Sequence, residues 1–234
     1  MKIGRAVIRI VVGLLLGSCV IVVASAITVL ATQTLLVDLV KTHAWLSQFT
    51  TTTSMLILSL LLILVLSKGK IATYGFTVPA HMRLMWIIVI GLLLGFISTL
   101  LTLVLPSGGM TFVEDFSFLQ IVILIWVYAS IGEEILTRGL VQSYLSPLTT
   151  SGFGVFGIFI SLPVLLSAFF FGCMHLPLLT LGIDISTVAI VVVFAFLVGI
   201  AAGYFREETD SLIPAILVHA FANVGGSLCS LLFE

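Results

Sequence analysis

The stretch FSFLQIVILIWVYASIGEEILTRGL, residues 116–140, decides the fold because it places three charged side chains directly after an uncharged apolar run. Glu133, Glu134 and Arg138 fall within six positions, although Asp, Glu, Lys and Arg make up only 8% of the chain. A soluble domain usually carries about 25% charged residues. A chain of 234 residues that is 61% hydrophobic cannot cover a water-facing surface, so we expect an integral membrane protein.

Working outward from this stretch, the hydropathy of the chain predicts about seven membrane spans, within a range of six to eight. A spanning helix needs about 20 mostly apolar residues, and an open sheet would leave backbone groups unpaired in lipid. We therefore expect an all-α, polytopic membrane helix bundle that forms a single membrane domain over residues 1–234. The expected spans cover residues 10–36, a segment ending near Leu66, 84–105, 116–130, a run around 155–171, 185–205 and 212–233.

Basic residues set the expected orientation. Lys2, Arg5 and Arg9 precede an apolar run that resembles a signal peptide, but the run continues to Leu36, far beyond a signal core of about 7 to 15 residues. We therefore expect an uncleaved first span. With the N-terminus in the cytoplasm, eight of the nine Lys and Arg residues fall on the cytoplasmic side and only Lys41 falls outside. The net charge of −1 offers no basic stripe for nucleic acid.

Glycines recur four residues apart at positions 13/17, 91/95 and 199/203. This spacing lets helix backbones approach closely. We interpret the pairs as packing within one bundle in preference to a dimer interface, and the oligomeric state stays open.

Polar residues at helical spacing point to one shared site in residues 113–234, whereas residues 1–112 carry spans without such motifs. Glu134 and Arg138 are four apart and can form an ion pair on one helix face. Glu133 is rotated by about 100° from Glu134, so the arginine neutralises it much less easily.

The other two polar motifs are Phe171-x-x-x-His175 and His219-x-x-x-Asn223. Ionisable residues inside spans are costly and mark functional sites. A carboxylate and a histidine can activate water, and a histidine with an asparagine can donate hydrogen bonds to an oxyanion.

EEILTRG, FGCMH and HAFAN together resemble the three motifs of the CPBP family of intramembrane proteases, which includes the CAAX prenyl endopeptidases and bacterial bacteriocin-processing and immunity-type relatives. The resemblance implies that Glu133 is the catalytic carboxylate and works with His175, and that His219 and Asn223 stabilise the oxyanion. It also implies supporting roles for Glu134, Arg138 and Phe171. Thr137 departs from the family pattern, which often has an aromatic residue before the arginine.

The resemblance implies a peptide or protein substrate, lipidated or not, and a multi-pass protein of a prokaryotic plasma membrane. We favour a mechanism without a metal cofactor; if zinc is bound, its ligands would be Glu133, His175 and His219. An ion-coupled transporter and a non-catalytic immunity or scaffold protein are the alternatives.

The charge rule leaves one difficulty, because a simple fifth span running outward would carry His175 away from Glu133. Either that span is displaced or broken around Pro163, or the 139–152 stretch crosses part of the bilayer.

Overall fold

A computed structural model describes residues 3–105, 116–155 and 157–233. The described residues form seven helices that are long and apolar enough to cross a membrane, as the hydropathy predicts. Short helices at Val37–Thr42 and Ile71–Tyr74 lie in the connections. The seven long helices are α1 Ile3–Thr34, α2 Trp45–Ser67, α3 Leu84–Val104, α4 Phe118–Leu148, α5 Leu162–Leu181, α6 Ile185–Thr209 and α7 Leu212–Phe233.

The fourth and fifth spans differ from the sequence prediction. Helix α4 does not end near Ser130 but continues to Leu148, because the charged side chains after Ser130 face the interior of the bundle and not water. Helix α5 begins at Leu162 and not near Val155. The expectation that every apolar segment is helical is wrong for residues 152–161, which form an antiparallel hairpin of β1 Gly152–Val155 and β2 Ile158–Ser161.

The length of α4 resolves the difficulty about the level of His175 in the bilayer. Glu133 lies at the middle of this 31-residue helix, so about 22 Å of helix follows it before the hairpin. Helix α5 then returns for thirteen residues before His175, about 20 Å. Both sequence alternatives are reflected in the structure: the fifth span is displaced, since α5 begins at Leu162 beside Pro163, and residues 139–148 belong to α4. Helix α5 thereby carries His175 back toward the level of Glu133.

Two buried apolar clusters hold the helices together. The first joins α1 and α2 to the second half of α4, with Ile63, Leu136 and Leu140 at its centre. The second joins α3, α5, α6 and α7 around Phe171 and Val218. Spans from the first half of the chain thus pack directly against every helix that carries a polar motif.

The glycine pairs are packing contacts within the chain, as the sequence interpretation expects. Gly91 lies against Val218 and Phe221 of α7, and Gly95 lies against Ala222. Elsewhere Gly13 and Gly17 contact α4 and α5, and Gly199 and Gly203 contact α4 and α5 from α6. The closest of these approaches is between α3 and α7, and it fixes the helix that carries His219 and Asn223.

Polar contacts gather at one end of the bundle. Arg83 at the start of α3 pairs with Glu208 near the end of α6, at 2.8 Å. Arg9 of α1 donates from Nε to the carbonyl oxygen of Tyr144 at 2.8 Å. The end of α6 is thereby tied to the start of α3, and the start of α1 to the last turns of α4, and most of the basic residues lie at this end.

Candidate active site

The backbone of α4 changes geometry around its two glutamates. A single α-helical turn, Ser130–Glu134, is flanked by π-helical segments at Ile121–Ala129 and Ile135–Gln142. Wider π-type turns inside helices occur frequently at functional sites. Because Ser130–Glu134 itself is α-helical, Glu133 and Glu134 point in directions about 100° apart, as the sequence predicts.

The ion pair expected from the spacing of Glu134 and Arg138 is present and buried. Arg138 donates from Nη1 to Glu134 Oε1 at 2.8 Å, and both side chains have no exposed surface. Nη1 also donates to the hydroxyl of Thr137 at 2.7 Å, and this hydroxyl donates to the carbonyl oxygen of Glu133 at 2.6 Å. Thr137, the departure from the family pattern, is therefore a polar support of the arginine.

His219 of α7 lies between the two glutamates. Its Nδ1 is 3.0 Å from Glu134 Oε1, and its Nε2 is 3.9 Å from Glu133 Oε2. Because an ionised carboxylate only accepts hydrogen bonds, Nδ1 is the donor to Glu134. Glu134 thus fixes the ring so that Nε2 faces Glu133, a contact that spacing along α4 and α7 could not reveal.

Glu133 is the less satisfied of the two carboxylates. Its side chain is 16% exposed, and its Oε2 is buried without a hydrogen-bond partner among the described residues. Arg138 makes its ion pair with Glu134 and not with Glu133. A buried carboxylate oxygen without a partner is costly, so this atom is well placed to accept a hydrogen bond from water or substrate.

His175 joins the site through Phe171. The ring centroid of Phe171 lies 5.2 Å from the rings of both His175 and His219, and the guanidinium of Arg138 stacks on the same ring at 4.7 Å. His175 Nδ1 lies 2.9 Å from the carbonyl oxygen of Phe171. A carbonyl can only accept, so Nδ1 carries a proton and donates it, and Nε2 is the ring nitrogen that this hydrogen bond does not use.

Asn223 lies one turn beyond His219 on α7 but is bonded elsewhere. Its amide nitrogen donates to the carbonyl oxygen of Ile125 at 3.0 Å and to the hydroxyl of Ser130 at 3.2 Å. Both amide protons are therefore used to hold α7 against the wide turns of α4.

Helix α6 supports the site, although the sequence analysis gave it no role there. A Cβ carbon on Gly199 would lie 2.9 Å from Arg138 Nη2, so this glycine makes room for the guanidinium. Arg206 is only 6% exposed and donates from Nη2 to Ser143 Oγ at 2.7 Å, and Ser143 donates to the carbonyl oxygen of Arg138 at 2.9 Å. In the sequence, the glycine pair 199/203 was the feature that could have pointed to a supporting role of α6. Arg206 gave no such indication, because it was interpreted as a charged residue in a loop.

The three proposed zinc ligands do not form a zinc site as they are placed. A zinc ion needs ligand atoms at about 2.0 to 2.2 Å on all sides. Across the described part of the chain, no group of three His, Cys, Asp or Glu side chains is arranged to hold a metal ion.

Comparison with known proteins agrees with this arrangement of helices and motifs. Residues 115–225 match the family model described as type II CAAX prenyl endopeptidase Rce1-like. No curated protein and no solved structure matched the chain. The matched range contains every polar site residue on α4, α5 and α7 and lies within a multi-pass helical membrane protein. The match over residues 115–225 therefore supports a CAAX-type intramembrane protease of the CPBP family, as the three motifs predict.

Proposed function

We propose that this protein hydrolyses a peptide bond with a water molecule activated by Glu133 and His175. The observation that carries the proposal is the division of the two glutamates. Each glutamate keeps a buried Oε2 without a hydrogen-bond partner in the described ranges, but Glu134 is fully buried with its Oε1 bonded to Arg138 and His219, whereas Glu133 is 16% exposed and has no part in that ion pair.

The water is bound between two acceptors in this proposal. Glu133 Oε2 and His175 Nε2 each accept one of its protons, and a carboxylate or an imidazole can remove that proton as the oxygen attacks the carbonyl carbon. The proton then passes to the leaving amine, so the site returns to its starting state. Within the described ranges, no arginine forms an ion pair with Glu133 or His175. Such an arginine would weaken either residue as a base.

The oxyanion of the tetrahedral intermediate forms beside α7 in this proposal. His219, protonated at both ring nitrogens, donates from Nδ1 to Glu134 and from Nε2 to the oxyanion. Asn223 contributes if it exchanges its hydrogen bond to Ser130 for one to the oxyanion, and such a donor is worth about 10² to 10³ in rate.

The proposed substrate is a peptide or protein, lipidated or not, that reaches the site through the bilayer. The proposed orientation places the N-terminus in the cytoplasm, because the end of the bundle that carries Arg9, Arg83 and Arg206 is then the cytoplasmic end. We infer that the protein resides in the plasma membrane of a prokaryote, as the bacterial relatives named above do.

Cleavage by the purified protein in proteoliposomes tests the proposal, with a prenylated CAAX peptide as substrate and an unprenylated peptide beside it. We expect Glu133→Gln and His175→Ala each to lower kcat by about 10² to 10⁴-fold, since general base catalysis contributes that much. Glu208→Gln is the matched control, because Glu208 pairs with Arg83 at the end of the bundle. Full activity of Glu133→Gln would contradict the assignment.

The same variants separate the alternatives. An ion-coupled transporter would lose substrate flux without showing any proteolysis, and an immunity or scaffold protein would keep its cellular phenotype in Glu133→Gln. Cleavage that stops with strong chelators and returns with zinc would contradict the metal-free mechanism.

A further inference from the structure

The hairpin between α4 and α5 presents one apolar face. In the register, Phe153 pairs with Ile160 and Val155 with Ile158. Residues directly opposite in an antiparallel pair, and residues two apart along a strand, project from the same face of the sheet. These four side chains therefore share a face, and Phe153, Val155 and Ile158 are 46%, 39% and 47% exposed.

The opposite face carries two glycines and the ring of Phe159, which is 51% exposed. It carries Gly152 and Gly154, with the ring of Phe159 lying over Gly152, where a Cβ carbon would come within 2.8 Å of its Cζ. A Cβ carbon on Gly154 would meet nothing within 4 Å. The hairpin thus has one face with four apolar side chains and an opposite face of glycine backbone on which Phe159 is the one apolar side chain.

The base of the hairpin is fixed at the polar end of the bundle. Ser161 accepts a hydrogen bond from the backbone N–H of Val164 at 3.3 Å, which caps α5, and donates to Glu207 Oε1 at 2.8 Å. Ile160 beside it is buried. The exposed apolar residues therefore lie at the tip, beyond a rigid attachment where α4 leaves the bilayer and α5 enters it.

The sequence around the hairpin contains no charge that would hold it in water. No Asp, Glu, Lys or Arg occurs from residue 139 to residue 183. Exposed apolar patches mark membrane or protein contacts. The outer strand edges carry unpaired backbone groups, which the hydrocarbon centre does not tolerate but the headgroup region does.

We propose that the hairpin lies in the membrane interface, with the face formed by Phe153, Val155 and Ile158 turned into the acyl chains of the adjacent leaflet. Interfacial segments bury such a face by about 5 to 10 Å. The loop then acts as an anchor that holds the joined ends of α4 and α5 at a set depth. This proposal does not depend on the hydrolytic mechanism.

Spin labelling tests the proposal in the full chain, with the three native cysteines replaced by serine. A nitroxide is attached singly at Phe153→Cys, Val155→Cys or Ile158→Cys, and the protein is reconstituted in phosphatidylcholine and phosphatidylglycerol vesicles. Collision rates with oxygen, which concentrates in acyl chains, and with a water-soluble nickel complex are then measured. Gly154→Cys on the opposite face and Lys70→Cys in an exposed loop are the controls.

We expect the ratio of oxygen to nickel collisions to be several-fold higher at all three apolar positions than at either control. Equal ratios at the apolar positions and at Lys70→Cys would show that the hairpin stands in water and would overturn the proposal. If neither oxygen nor the nickel complex reaches the labels, and the nitroxide spectra show dipolar broadening, a second copy of the chain covers this face. That result would also overturn the proposal. Three separate labels keep the test valid if one variant fails to fold.

Discussion

Helices α3 and α7 approach so closely that one added methyl group on α3 should displace the helix that carries His219. A Cβ carbon on Gly91 would lie 2.6 Å from the carbonyl oxygen of Val218 and 2.7 Å from the Cβ of Phe221. Ordinary contact begins near 3.4 Å. Because interiors are close-packed and cannot absorb such an overlap, Gly91→Ala must part the helices by about 0.8 Å beside His219.

The displacement gives the expected size of the effect. A misplacement of about 1 Å costs up to 10²-fold in rate, so we expect Gly91→Ala to lower kcat by about 10- to 100-fold. KM should change much less, because the hydrogen bond from His219 is strongest in the transition state. Alanine is favoured over glycine inside a helix by about 1 kcal/mol, so a weaker α3 cannot be the cause.

Steady-state cleavage of the prenylated peptide in proteoliposomes, together with thermal unfolding of each variant, checks the reasoning. Gly4→Ala is the matched control, since it is the same substitution in a helix where a Cβ carbon would meet nothing within 4 Å. If Gly91→Ala keeps the kcat of the parent protein with a folded state of the same stability, the close approach of α3 does not position His219. A lower yield of folded protein with normal kcat would show a role in folding alone.

Further substitutions test the surroundings of the site. Arg138→Met should lower the free energy of unfolding by about 3 to 5 kcal/mol, because it leaves a buried carboxylate without its arginine; an unchanged melting temperature would contradict this. Asn223→Ala should lower kcat by about 10² to 10³-fold, whereas Ser130→Ala, which frees one amide proton, should keep or raise it; equal losses in both would indicate a purely structural asparagine. Arg206→Met and Ser143→Ala remove the same hydrogen-bonded chain, so the double variant should lose no more activity than the more affected single one, and additive losses would refute the coupling.

Much of the site could be predicted because its determinants are local. Glu134 and Arg138 lie four residues apart, and any helical geometry near 3.6 residues per turn brings them to one face. The same rotation separates Glu133 from the arginine. The order of the three motifs led to the protease family, which the match over residues 115–225 supports.

The spacing of residues within one helix could not predict the contacts between helices. His219 meets Glu134, and Asn223 meets Ile125 and Ser130, across distances of 85 to 98 residues along the chain. Each contact depends on how far α7 slides along α4, which periodicity within one helix does not specify. The role expected for Asn223 therefore stays a prediction, while its hydrogen bonds to α4 are a property of the packing.

By itself the sequence determined the class of this protein, because apolar segments of spanning length have one stable form in lipid, the hydrogen-bonded helix. It also determined which carboxylate pairs with Arg138. Only the tertiary structure decided where α4 ends and that a hairpin follows it, because burying Arg138 among α5 and α6 removes the charge that would otherwise mark a membrane boundary. It also decided that Glu134 accepts the hydrogen bond from His219 while Glu133 Oε2 has no hydrogen-bond partner among the described residues, because that choice depends on the position of a helix 85 residues away.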